Sequence, residues 1–135
     1  MKSSDIKLRL VLTSTKLSPE EICAQAKITP SKTWKTGDVV HPRATNRHKE
    51  NGCVVEVVDG ALSAAARQLI ERLRAQSATL TNLTAIDVEL SCIVNLYQES
   101  APEMHLDPEV VAFAASIKAA LDFDVYFLSD ADAGT

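Results

Sequence analysis

The sequence predicts an α+β domain: a two-layer sandwich in which a four-stranded, mainly antiparallel sheet carries helices on one face. Three observations point there. Across residues 84–97, Ile86, Val88, Leu90, Cys92, Val94 and Leu96 alternate with mostly polar residues, the period of a half-buried strand. Near the N-terminus Ile6, Leu8, Leu10 and Leu12 alternate in the same way with Lys7, Arg9 and Val11. And one helix start occurs twice, as Leu17-Ser18-Pro19-Glu20 and as Leu106-Asp107-Pro108-Glu109, each time after an alternating strand. Two strand–helix–strand units suggest a ferredoxin-like split βαβ sheet. In that layout strands one and three are central antiparallel neighbours, and a further helix is an added crossover.

In chain order, residues 6–12 form the first strand. Ser18 is then a good N-cap, Pro19 suits the first helical position and Glu21 can complete a capping box. Leu17 and Ile22 stand where a hydrophobic staple requires them, so a short helix runs to about Lys27, and Pro30 limits its continuation. Residues 29–51 are mostly irregular. They hold Pro30, Trp34, a Gly37-Asp38 turn signal, Val39-Val40 as a brief strand and a basic loop, 41–49, with Arg43, Arg47, His48 and Lys49. Asn51-Gly52 reads as a turn that introduces the β-branched second strand, 53–58, and closes a hairpin on Val39-Val40 if the basic loop folds back. Asp59-Gly60 ends that strand.

From 62 to 80, Leu62, Ala66, Leu69, Leu73 and Leu80 recur at helical spacing, with Arg67, Glu71 and Arg74 toward water. The third strand is 84–97. The second capped helix continues through Phe113, Ile117 and Leu121. A last strand, 122–128, puts Phe123, Val125 and Phe127 on one side and Asp122, Asp124 and Tyr126 on the other. The whole chain, 1–135, reads as one domain, with an ordered core over about 6–128 and an acidic tail at 129–135.

Composition narrows the function. The chain is 24% charged and 46% hydrophobic with a formal net charge of −4, so it has no general attraction to nucleic acid or to anionic membranes. Cys23, Cys53 and Cys92 lie far apart with no metal-ligand spacing and read as reduced, core-filling residues. The start, MKSSDIKLRL, lacks an apolar leader, and no apolar run is long enough to span a bilayer. The expectation is a cytoplasmic protein.

No nucleophile elbow, zinc-protease helix, P-loop or dinucleotide fingerprint occurs, and His41, His48 and His105 fall in loops. Asp122 and Asp124, two apart on one strand, could bind a cation or share a proton, but solvated strand carboxylates are the commoner case. The chain therefore reads as a non-enzyme with no cofactor and no metal. Two surfaces remain. On the open sheet face Lys7 and Arg9 meet Asp87 and Glu89, and Val11, Ile93, Tyr97 and Tyr126 add apolar area suited to a homodimer or a protein partner. The alternative is a small-ligand or anion site around Trp34, Asp38 and Arg43, beside the basic loop.

The ITPSKTWKTGD segment at 28–38 and the closing Asp122-Phe123-Asp124-Val125-Tyr126, set in this order of strands and capped helices, resemble the bacterial family called domain of unknown function 4279. The resemblance spans about 6–128. It implies a small cytosolic αβ domain and supplies no reaction. Such proteins often carry a second tryptophan in the second strand, where this chain has Cys53-Val54-Val55. The expected function is a non-enzymatic interaction protein, one version being an immunity-type protein that neutralises a partner through its acidic surface. Arg9, Glu89, Tyr97 and Tyr126 are its expected contacts.

Overall fold

β1 (Asp5–Ser14) buries every second residue, and Ile6, Leu8, Leu10 and Leu12 form the middle of the core. The computed structural model describes residues 3–40, 45–97 and 101–129. Over these the chain continues through α1 (Pro19–Ala26), β2 (Lys32–Trp34), β3 (Asn51–Asp59), α2 (Leu62–Leu73), α3 (Ser77–Thr81), β4 (Asp87–Tyr97), α4 (Pro108–Ser116) and β5 (Ala120–Leu128). The result is an α+β domain around one mixed sheet of five strands in the order β2-β3-β1-β4-β5.

The repeated helix start behaves as its chemistry requires. Ser18 Oγ accepts from the Glu21 N–H and Glu21 Oε1 accepts from the Ser18 N–H, both at 3.1 Å, a complete capping box. Asp107 Oδ1 accepts from the Val110 N–H at 3.1 Å, with Pro108 in the first turn. α1 closes at Lys27, which takes a left-handed φ of 57°. α4 ends sooner than its apolar spacing suggests: Lys118 turns left-handed at φ 57°, and Leu121 belongs to β5. The run expected as one helix over 62–80 is α2, a 3-10 turn at Arg74–Gln76 and α3. After the break, α3 carries Leu80 into the core at 1% exposure.

β1 and β4 are central antiparallel neighbours, as expected. The split βαβ order is not formed. β3 lies directly beside β1, antiparallel, and β5 lies directly beside β4, parallel. A split unit needs another strand between the two that it connects. Here the long 15–50 connection reverses the chain against β1, and the short link after α4 sets β5 next to the strand it follows. β2 is a fifth strand where irregular chain was expected; it pairs Lys32, Thr33 and Trp34 with Val54, Cys53 and Gly52. Asn51 and Gly52 are not a turn but the start of β3. Val39 does form a bridge, to Arg47 rather than to β3.

One face of the sheet, with Leu10, Cys53, Val55, Val57, Leu90 and Cys92, packs against Ile22, Leu62, Leu69, Leu73 and Ile117. α2 lies on β1 and β3, α1 on the same two strands, and α4 on α2. The helical layer is thus centred over β3 and β1. β5 reaches past its rim.

Candidate functional site

β5 is the edge strand on the far side of β4 and is exposed along nearly its whole length. Its register places Leu121, Phe123, Val125 and Phe127 on the helix side of the sheet, because Leu90, Cys92 and Val94, their partners on β4, face the core. A row facing that way belongs under helices. Instead Leu121, Phe123, Val125 and Phe127 are 51%, 47%, 48% and 82% exposed. Val111 on α4, also exposed, extends the patch. Where the row meets α4, an apolar slot of about 30 Å³ opens between Leu90, Cys92, Leu106, Val111, Leu121 and Phe123. That is room for a small protruding group, not for a metabolite.

The opposite side of β5 is acidic. Asp122 pairs with Ser91 and Asp124 with Ile93, which in turn pair with Arg9 and Lys7, so these cations lie two strands from β5. Glu89 stands diagonally from Asp122 on the same face. Burial and then repulsion from Asp122 and Asp124 push the Glu89 carboxyl above its ordinary range, with Arg9 opposing. Arg9 is engaged elsewhere, its Nε lying 3.8 Å from Glu56 with no hydrogen bond.

At the far end of this face the chain covers itself. Trp34 pairs in register with Gly52, and its indole lies against that glycine. The His48 ring stacks on the indole, with centroids 4.7 Å apart and planes 18° apart. The segment that brings His48 there is knitted by backbone: Gly37 N–H donates to the His48 carbonyl and His48 N–H to the Asp38 carbonyl, both at 2.8 Å. Asp38 Oδ2 accepts from the Lys35 N–H at 2.8 Å, and Gly37 takes φ 94° in the turn from Lys35 to Asp38. Burial and the Lys32 ammonium lower the His48 pKa, partly offset by Asp38.

The family model for the domain of unknown function 4279 (DUF4279) matches residues 4–128. The chain belongs to this family. No match was found among curated proteins or among solved structures. The DUF4279 span runs from just before β1 to the last residue of β5, so β5 lies within the matched residues.

Within the DUF4279 domain the expected site residues are spread out. Arg9 and Glu89 do share the open face, diagonally placed two residue pairs apart along β1 and β4, and Tyr126 lies on the same face of β5, exposed and opposite Asn95. Tyr97, expected as part of that surface, is buried at 8% exposure. Trp34 is also 8% exposed, held between Gly52 and His48, which leaves little indole for a ligand. Asp38 serves the turn. Arg43 and His41 lie outside the described residues. Asp38 follows β2 at one edge of the sheet and Asp124 lies on β5 at the other. Burial pushes the Cys92 thiol up to about 11, and burial with a hydrogen bond to Cys23 pushes Cys53 up to about 12, so both stay protonated.

The surface not expected is the Leu121–Phe127 row. Its alternation was readable in the sequence. Its exposure follows from the edge position of β5, which a single strand's pattern does not carry.

Proposed function

We propose that this chain is a protein-interaction domain that receives an extended segment of a partner along β5. The observation that carries this reading is the row Leu121, Phe123, Val125 and Phe127, exposed on the helix side of an edge strand. An edge strand presents unpaired N–H and C=O groups, and natural sheets blunt such edges by shortening, bulging, proline, charged side chains or cover. β5 is nine residues long and contains no proline, and its charges, Asp122 and Asp124, lie on the face away from the apolar row. A partner strand added here gains backbone hydrogen bonds, and its own apolar side chains shield the row from water. The contact surface is therefore the edge and helix side of β5, rather than the open face.

The test is a photo-crosslinking amino acid placed at Phe127, with exposed Arg67 on α2 as the control position, in cells that make the protein natively. One discrete adduct at 127 and none at 67 is expected. The purified partner then rebinds the wild-type chain and not Phe127→Lys. Equal labelling at both positions, or rebinding unaffected by Phe127→Lys, contradicts the reading.

A further inference from the structure

We infer that the segment received by β5 is basic on alternate positions: an extended strand with aliphatic or aromatic residues on one face and Lys or Arg on the other. This rests on the docking edge proposed above and names its partner class. A sixth strand inherits the two-sided character of its neighbour, because residues opposite each other across a pair share a face. Its helix-side residues meet Leu121, Phe123, Val125 and Phe127. Its other residues meet Asp122 and Asp124, both exposed on the opposite face beside Glu89. Like charges set directly opposite destabilise a pair of strands and opposite charges stabilise it. The cations already on this face do not neutralise β5: Arg9 lies against Glu56 and Lys7 is two strands away.

The same carboxylates argue against a second copy of the chain as the occupant. Antiparallel self-pairing centred on Phe123 sets Asp122 opposite Asp124 twice. Centring on Asp124 sets that residue opposite its own copy, and centring on Val125 leaves the two Asp124 side chains diagonal. Only registers that slide the strands toward one end separate the charges, and these forfeit much of the backbone pairing. Flipping one copy over sets phenylalanines beside carboxylates. The strand is apolar enough to be covered and too acidic to be covered by itself.

Two end-blocked, fluorescein-labelled heptapeptides test this on the full chain, one alternating Lys with Val and one alternating Glu with Val. Fluorescence anisotropy gives their affinities, and sedimentation gives the oligomeric state. The Lys peptide is expected to bind about tenfold more tightly at low salt, as attractive cross-strand pairs replace repulsive ones. That preference is expected to shrink to about twofold in Asp122→Asn/Asp124→Asn, and in high salt where exposed charges are screened. Both substitutions are at exposed positions, and an unchanged urea transition excludes a folding defect. Equal binding of the two peptides overturns the basic partner and leaves the docking edge standing. A β5-mediated dimer that Phe127→Lys dissolves overturns it in favour of a second copy. Binding of neither peptide by a monomeric protein overturns this inference and the docking edge together.

Discussion

Trp34 covers Gly52 so closely that a Cβ added to the glycine would stand 2.8 Å from the indole Nε1, and nearer still to the six-membered ring. Hydrogen is the only side chain that fits between β3 and that ring. Gly52→Ala is therefore expected to destabilise the fold by about 1–3 kcal/mol, the usual range for overpacking. Urea unfolding followed by far-UV circular dichroism measures it. In a Trp34→Leu background the same substitution should cost clearly less, because the two positions share one contact. Equal costs in both backgrounds would show that the indole is not the obstacle.

The apolar row of β5 and the buried row of β1 predict opposite responses to truncation. Leu10 is fully buried, and Leu10→Ala should cost about 2–5 kcal/mol. Phe127 is 82% exposed, and Phe127→Ala should change stability by no more than about 0.5 kcal/mol. Urea midpoints of the two variants decide whether β5 carries core residues or a free surface.

His48 makes stability depend on pH in a definite direction. Burial beside Trp34 and the Lys32 ammonium lower its folded pKa below the ordinary 6.5, so over that window the unfolded chain binds more protons. Stability accordingly rises with pH between the depressed value and 6.5, and falls on acidification. His48→Gln should flatten that slope. Unfolding midpoints of both proteins at a series of pH values across the window measure it, and parallel curves would refute it.

Glu89 acts with the other sign. Its folded pKa is raised from 4.5, chiefly by burial and then by Asp122 and Asp124, so the folded chain holds the proton more tightly than the unfolded one. Stability from this group is present at low pH and lost as pH rises through the raised value. Glu89→Gln should be more stable than wild type at neutral pH and similar to it below the glutamate range. Paired thermal melts at the two pH values report the difference.

Much of the fold was legible because local chemistry decided it. Both caps and the alternation of β1 and β4 follow from the Ser18 and Asp107 chemistry and from a period of two, whereas the central antiparallel pairing of β1 and β4 was expected from a split βαβ layout that is not formed. Strand order was not legible, since Ser18-Pro19 and Asp107-Pro108 specify where helices start and say nothing of which strand lies next to which. Lys32, Thr33 and Trp34 are too short a pattern to mark β2, and Asn51-Gly52 carries a turn signature although the need for glycine there arises from Trp34, 18 positions away. Arg9 and Glu89 were placed on the correct face. Tyr97 was not expected to be buried, and the Phe123 row looks the same in sequence whether helices cover it or water does.

Amide hydrogen exchange along β5, with and without the Lys–Val peptide, tests the docking edge most directly. In the free protein the β5 amides are expected to exchange faster than those of β1, which has a strand on each side. The peptide is expected to slow exchange across Ala120–Leu128 and to leave β2 unchanged. Protection of β5 equal to that of β1 in the free protein, or slowing confined to some other surface, would contradict the account.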